Sequence, residues 1–268
     1  MEPSGQEELS AVLTPVFLAG PMRSGKDTVA QILEDDYGYV VVGLADALKR
    51  DTAWLFDFDD RAFWGTFEEK AAPLAEPLDE GAIYAVATSD TYFSKWAHLW
   101  IDRFHERVPF PRVSEQLRAA LLPVAPITTP RVLLQRMGTE FGRALWEDVW
   151  VEEVARTQAK IAEGRVYFRR DGVLSHLRTR RSPAPIVVPD VRFLSEARYA
   201  VEKLSAPVFW IDAEKRVPRD PRFAHASEPV IGDLGPYVTD VINNNGTQEA
   251  LRGEVRRVMA LHVPERTP

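Results

Sequence analysis

The chain has 268 residues, enough for one large domain or two modest ones, and at 45% hydrophobic it can bury a sizeable core. A formal net charge of −7 argues against a general nucleic-acid-binding surface, and the absence of cysteine excludes disulfides and zinc–thiolate sites. The acidic start, Met1-Glu-Pro-Ser-Gly-Gln-Glu-Glu8, has no signal-peptide h-region, and no run approaches the roughly 18 apolar residues of a membrane span, so a soluble cytoplasmic protein with no membrane partner is expected.

Val16 to Ala19 is a short apolar run suited to a strand buried on both faces. It leads into Gly20-Pro-Met-Arg-Ser-Gly25-Lys26, which fits G-x-x-x-x-G-K, the phosphate-cradling P-loop. Chance alone puts that pattern into roughly 8% of chains this long, so the flanking elements decide. After the lysine, Val29, Ile32, Leu33 and Tyr37 recur at helical spacing, and Gly38 suits a helix C-terminus. A strand before and a helix after predict a nucleotide site. Glycines let backbone N–H groups converge on phosphate oxygens, the helix N-terminus adds unpaired donors, and Lys26 brings a full charge. Gly20, Arg23, Ser24, Gly25, Lys26, Asp27 and Thr28 are the candidate nucleotide-binding residues, and Lys26 is also the first catalytic candidate. Asp27 stands where Ser or Thr usually follows the lysine, so whether Asp27 or Thr28 meets Mg²⁺ stays open.

Tyr39 to Leu44 reads as a second strand that delivers Asp46 and Lys49 at a helix start. These two either sit at the functional edge of an α/β sheet or serve as an N-cap and a solvated helix residue. An aromatic cluster follows, with Trp54, Phe56, Phe58, Phe63, Trp64 and Phe67. Tyr92, Trp96, Trp100 and Phe104 then recur at four-residue spacing, which reads as helix core rather than as a base-stacking platform. Residues 70–127 form a mostly helical insertion, broken by Pro109, Pro111, Pro123 and Pro126.

Thr129-Pro130 predicts a helix start with Thr at N-cap and Pro at N1. Arg131, Gln135 and Thr139 share one face, and Arg143 lies roughly 80° round from Gln135 if the α-helix continues through Gly138. That face suits a phosphate and a base, or it is a set of solvated polar residues. Trp146-Glu-Asp-Val-Trp150 leads into an amphipathic helix with Val151, Val154, Ala155 and Ala162 on one side. Residues 160–184 form a basic, hairpin-like insertion with Arg170-Asp-Gly172 as its turn, read as solvated.

Ile186 to Val188 is the third buried strand, and Asp190 follows it where an acid at a strand tip resembles a Walker-B position that holds Mg²⁺. A helix from Ser195 to Leu204 leads to the fourth strand, Pro207 to Ile211. Residues 212–228 read as a lid punctuated by proline and bearing Arg216 and Arg219, with His225 structural. The fifth strand, Val238 to Ile242, runs into Asn243-Asn-Asn-Gly246-Thr and a final helix carrying Leu251, Val255 and Met259.

Five blocks together give the chain a likeness. They are Arg23-Ser-Gly-Lys-Asp-Thr-Val-Ala30, Leu44-Ala-Asp-Ala-Leu-Lys49, Thr129 to Arg143, Asp190-Val-Arg-Phe-Leu-Ser-Glu196, and His225-Ala-Ser-Glu228 with Ile242-Asn-Asn-Asn-Gly-Thr247. In this order they resemble the phage-type deoxynucleoside monophosphate kinases, a branch of the P-loop nucleotide kinases. The resemblance spans 15–70, 128–155 and 185–262. It implies one α/β kinase domain of three layers, with a parallel five-stranded sheet in the order 2-3-1-4-5. It implies ATP and Mg²⁺, and transfer of the γ-phosphoryl group to a deoxynucleoside 5′-monophosphate, in the host cytoplasm if the chain is phage-encoded. Arg131, Gln135, Arg143 and Arg192 would face the acceptor nucleotide, and Asn244 to Thr247 would border the adenine of ATP. Asp46, Lys49, Glu140, Trp150 and Asp190 complete the acceptor candidates, and Asn244 and Gly246 complete the ATP candidates. Asp27 and Asp190 are the metal candidates, and Arg216 and Arg219 the catalytic lid arginines. The family usually has an acidic pair before Val-Arg-Phe, whereas this chain has Pro189 at the first place. Partners are small-molecule nucleotides, and a homodimer is left open. The alternatives are a P-loop kinase for another small phosphorylated metabolite, and a nucleotide-binding switch or NTPase.

Overall fold

A computed structural model describes residues 14–59, 61–64, 67–104, 107–162, 165–170, 173–179, 184–216 and 231–263. Arg219, Arg222, the His225 to Glu228 block and the Asp171-Gly172 turn lie outside the described residues. The described residues fall into two compact units. One takes those within 1–43, 155–167 and 177–268, and the other those within 44–154 and 168–176.

The first unit is built on a sheet. Its elements begin with β1 (Val16–Ala19), α1 (Lys26–Tyr37) and β2 (Val40–Val41). The second unit supplies α2 (Ala45–Leu55), α3 (Arg61–Trp64), α4 (Phe67–Ala71), α5 (Glu80–Thr88), α6 (Asp90–Arg103), α7 (Phe110–Leu121) and α8 (Pro130–Gln135). The chain continues through α9 (Val149–Ala162) and two strands that form their own small sheet, β3 (Arg165–Arg170) and β4 (Val173–Thr179). It then returns to the main sheet with β5 (Ile186–Val191), α10 (Leu194–Leu204), β6 (Val208–Asp212), α11 (Ile231–Leu234), β7 (Asp240–Asn243) and α12 (Gln248–His262).

The main sheet is wholly parallel, in the order β2-β5-β1-β6-β7, which is 2-3-1-4-5 counting sheet strands alone. The three-layer α/β expectation is met. Its strands are apolar on both faces because helices cover both. Val16, Leu18, Val187, Phe209 and Ile211 pack with α1 and α12 through Val29, Ile32, Leu33, Leu251, Val255 and Val258. The alternate residues Phe17, Val188, Val208 and Trp210 are also buried. Gly38 ends α1 in a left-handed conformation with φ 70°, and Thr247 caps α12 by accepting from the Ala250 N–H at 3.2 Å.

One boundary departs from expectation in an informative way. The third buried strand runs on through Val191, so Asp190 lies within it rather than past its tip. Phe17 pairs with Val188 and Ala19 with Val191, so β5 carries one more residue than β1 over this stretch. The bulge falls on Pro189 and Asp190. Proline has no N–H for a ladder, and a bulge is where a strand with neighbours on both sides tolerates it.

In the second unit the aromatic stripe is core, as its spacing predicts. Trp96 and Phe104 are buried, and both meet Phe141 edge-on at 6.2 and 5.9 Å between ring centroids. A charged cluster sits beside this core. Arg103 on α6 grips Asp51 of α2 with two hydrogen bonds, 2.8 and 3.1 Å, and Glu153 of α9 with a third at 2.8 Å. Arg50 lies 3.7 Å from the other Glu153 oxygen. Burial pushes the Asp51 carboxyl above its ordinary range, against the pull of Arg103.

Candidate functional site

The Gly20 to Lys26 loop leaves the carboxyl end of β1, the strand from which the sheet order grows in both directions. Parallel α/β sheets bind ligands at that switch point. The loop turns tightly, with Ser24 N–H donating to Pro21 O at 3.2 Å. Arg23 and Gly25 both adopt left-handed backbone, at φ 64° and 96°. A Cβ on Gly20 would stand 2.8 Å from Ser24 Oγ and 2.9 Å from Ile211 O, so only glycine fits. Lys26 opens α1, and its ammonium donates to Gly20 O and Pro21 O at 2.7 Å each. The charge thus lies over the loop. Ser24 is buried, and its hydroxyl has no hydrogen-bond partner among the described residues. A buried unspent hydroxyl calls for a water or a ligand oxygen.

Asp27 and Thr28 are exposed on the first turn of α1. Their carboxylate and hydroxyl are hard oxygen donors of the kind Mg²⁺ takes, and that ion commonly uses only one or two protein ligands beside water and phosphate. Among the described residues no group of three or more His, Asp or Glu side chains converges on a metal position. The exposed Asp27 and Thr28 oxygens fit a Mg²⁺ that is held mainly by phosphate and water. Asp190 is half-buried within the bulge, and Arg192 is exposed just beyond β5. Glu196 fixes the following turn, accepting from the N–H groups of Arg192 and Phe193 at 2.7 and 3.0 Å. It caps α10, a role the sequence reading did not assign.

Asn244 lies at the end of β7 and is buried. Its N–H donates to Asp212 O, its side-chain Nδ2 donates to Ser24 O at 2.7 Å, and its Oδ1 accepts from Arg216 at 2.7 Å. Arg216 also reaches Asn244 O at 3.3 Å, and of the two arginines expected on a lid it is the one among the described residues. Asn245 ties the same turn to β6, donating to Asp212 Oδ2 at 3.0 Å and accepting from Lys215 N–H at 2.8 Å. Gly246 is exposed in this turn. Asp212 and the capping role of Glu196 were missed because their partners are either distant in sequence or backbone atoms, which no short pattern records.

In the second unit Thr129 caps α8 as predicted, its hydroxyl accepting from Val132 N–H at 3.3 Å. From Arg136 to Arg143 the helix then winds as a π-helix. An i→i+5 ladder holds more residues per turn, so the roughly 80° offset expected for Arg143 on an α-helix does not apply. Two glycines of this stretch lie under close side chains. Trp150 is buried and donates its indole N–H to Gly138 O at 3.0 Å. A Cβ on Gly142 would collide with the Trp150 ring, and one on Gly138 would stand 2.9 Å from Leu48 Cδ2. Trp150 thus spends its one polar atom on the helix. Arg131 and Gln135 are exposed on α8, while Arg143 is half-buried and donates to Glu147 O at 3.4 Å. Glu140 pairs with Arg136 at 3.1 Å and has its other oxygen buried with no hydrogen-bond partner among the described residues. Asp46 is no N-cap. It sits buried in the first turn of α2, 3.5 Å from the half-buried Lys49, whose ammonium lies 5.4 Å over the Trp64 ring.

No protein-family model matches the chain, and no curated protein matches it. No described helix is long and apolar enough to cross a membrane.

Proposed function

We propose that this chain is an ATP-dependent kinase that phosphorylates a deoxynucleoside 5′-monophosphate to the diphosphate. The observation that carries the reading is the Gly20 to Lys26 loop at the switch point of a parallel sheet, with Lys26 folded over it. The acceptor class is supported by the five sequence blocks that resemble phage-type deoxynucleoside monophosphate kinases.

Phosphoryl transfer needs positioning and charge neutralisation more than covalent chemistry. In the first unit the loop N–H groups and Lys26 hold the β- and γ-phosphates, and Lys26 trades its two backbone carbonyls for phosphate oxygens. Asp27 or Thr28, with Asp190, would hold Mg²⁺, which when bound neutralises phosphate charge. Arg216 and Arg219 carry the charge that balances the transferring group and help exclude water, the competing nucleophile. For the acceptor's phosphate, Arg192 is the candidate in the first unit and Arg131 and Arg143 are those in the second. Asp46, Lys49, Gln135 and Glu140 are the polar candidates for its sugar and base.

The test is ADP release from ATP across a panel of ribo- and deoxyribonucleoside monophosphates, with phosphorylated small metabolites and a no-acceptor control. Release that depends on a deoxynucleoside monophosphate is expected. Dependence on a different phosphorylated metabolite, or steady hydrolysis with no acceptor, overturns the reading.

A further inference from the structure

We propose that Asn244 is a positioning residue: its buried amide sets the backbone of the phosphate loop and couples that loop to Arg216. This replaces a contact with adenine by a role toward the phosphates, and it rests on the kinase reading only for its kinetic arm.

The loop needs an external hold. Arg23 and Gly25 are both left-handed, and a non-glycine residue in that region persists only where its surroundings enforce it. Ser24 lies between them, and its carbonyl oxygen receives the Asn244 side-chain N–H at 2.7 Å. The Ser24–Gly25 peptide is planar, so holding its C=O on Asn244 aims the Gly25 N–H in the opposite direction. That N–H is one of the donors a P-loop offers to phosphate. Gly25 is required for the grip as well as for its own φ, because a Cβ there would collide with Asn244 Nδ2.

The orientation of the amide is determined by both ends. Turned over, it would set its oxygen against Ser24 O and its NH₂ against a guanidinium. As placed, Oδ1 accepts from Arg216 at 2.7 Å while Nδ2 donates to Ser24. A charged donor on Oδ1 polarises the amide and strengthens the Nδ2 donation. The Asn244 backbone is itself fixed by its N–H bond to Asp212 O at 2.7 Å, so little is left to relax when either end is cut.

The probe is Mg²⁺ with inorganic tripolyphosphate, which has no base, titrated alongside MgATP into wild type, Asn244→Asp, Arg216→Ala, Asn244→Ala and the Asn244→Ala/Arg216→Ala double variant. Asn244→Asp keeps the acceptor for Arg216 and loses the donor to Ser24. It should raise the Kd for both probes by the same factor, about tenfold or more, and raise the KM for ATP while that for the acceptor stays within about twofold. The double variant should lose clearly less than the sum of the two single losses, because part of what Arg216 does passes through Asn244. Loss of ATP affinity with tripolyphosphate binding intact would return Asn244 to the adenine and overturn the proposal. Additive losses in the double variant would overturn the coupling, and a lowered melting temperature with both Kd values unchanged would leave a structural role only. Where an Asn244 variant does not fold, amide exchange at residues 22–25 of Arg216→Ala decides, with faster exchange expected and unchanged exchange contradicting. Tripolyphosphate binding without phosphoryl transfer would overturn the kinase reading alone. A wild type that binds neither probe overturns both.

Discussion

The phosphate loop and the π-helical stretch are held by the same device made from different chemistry. In each, a side chain from later in the chain presses on a glycine and donates to a backbone carbonyl. Asn244 meets Gly25 and donates to Ser24 O; Trp150 meets Gly142 and donates to Gly138 O. The first clamp is polar, ends on an exposed arginine, and is open to a ligand's charge. The second is aromatic and buried in the core around Phe141, so it fixes the helix whatever is bound. A clamp that responds suits the phosphates of a cosubstrate, and a rigid one suits residues whose geometry must be preset.

The largest effect belongs to the rigid side. Arg103→Met leaves the half-buried Asp51 and the buried Glu153 without the cation between them, and a broken buried pair costs about 3–5 kcal/mol. Thermal or urea unfolding should show that loss, and a change below about 1 kcal/mol would mean the cluster is not what holds α2, α6 and α9.

Lys26→Ala removes a charge from the responsive side without touching the core. It should lower kcat by on the order of 10² or more with little change in melting temperature. An unchanged kcat removes the loop from the chemistry.

Arg143→Lys keeps the charge but loses the planar fork that matches a phosphate. It should raise the KM for the acceptor roughly 10- to 150-fold, equivalent to about 1.5–3 kcal/mol, and leave that for ATP nearly unaltered. If neither Arg143→Lys nor Arg131→Lys shifts the acceptor KM threefold, Arg192 becomes the leading phosphate ligand.

Gly142→Ala forces the Trp150 ring aside and should cost about 1–3 kcal/mol, with the acceptor KM rising while the ATP KM holds. Loss of ATP affinity in this variant would show that the two clamps are not independent.

The smallest effect is electrostatic. Hydrogen bonds from Arg257 first, then from His262 and the Val241 N–H, hold the Asp240 carboxyl down to about 2 despite some burial. A lowered acid stabilises above its unfolded pKa and stops doing so as pH falls from about 4 through about 2. The pair is solvent-accessible, so Asp240→Asn should cost less than about 1 kcal/mol at pH 7, and the gap to wild type should close over that window. A gap that persists at pH 2 would assign it to packing.

Much of the fold was legible where its signals are local. The apolar run Val16 to Ala19, the loop glycines, Gly38 at a helix end and Thr129-Pro130 at a helix start each report backbone conformation within a few residues. The strand order followed from the resemblance and was met. The π-winding was not legible, because it goes with a distant Trp150 whose ring lies against Gly142 and whose indole N–H reaches Gly138 O, and an α-period assumption misplaces Arg143. The bulge at Pro189 and Asp190 was signalled by the proline, yet its register is fixed by pairing with β1. The Asn244 clamp joins residues 220 apart, and no spacing rule reaches that far.

The central claim is transfer of the γ-phosphoryl group to a monophosphate. Incubating the chain with ATP labelled at the γ-phosphorus and a deoxynucleoside monophosphate, and following the label by position, tests it most directly. Label is expected at the β-phosphorus of the deoxynucleoside diphosphate, and its appearance there is abolished in Lys26→Ala. Label recovered only as inorganic phosphate, at a rate indifferent to the acceptor, would contradict it.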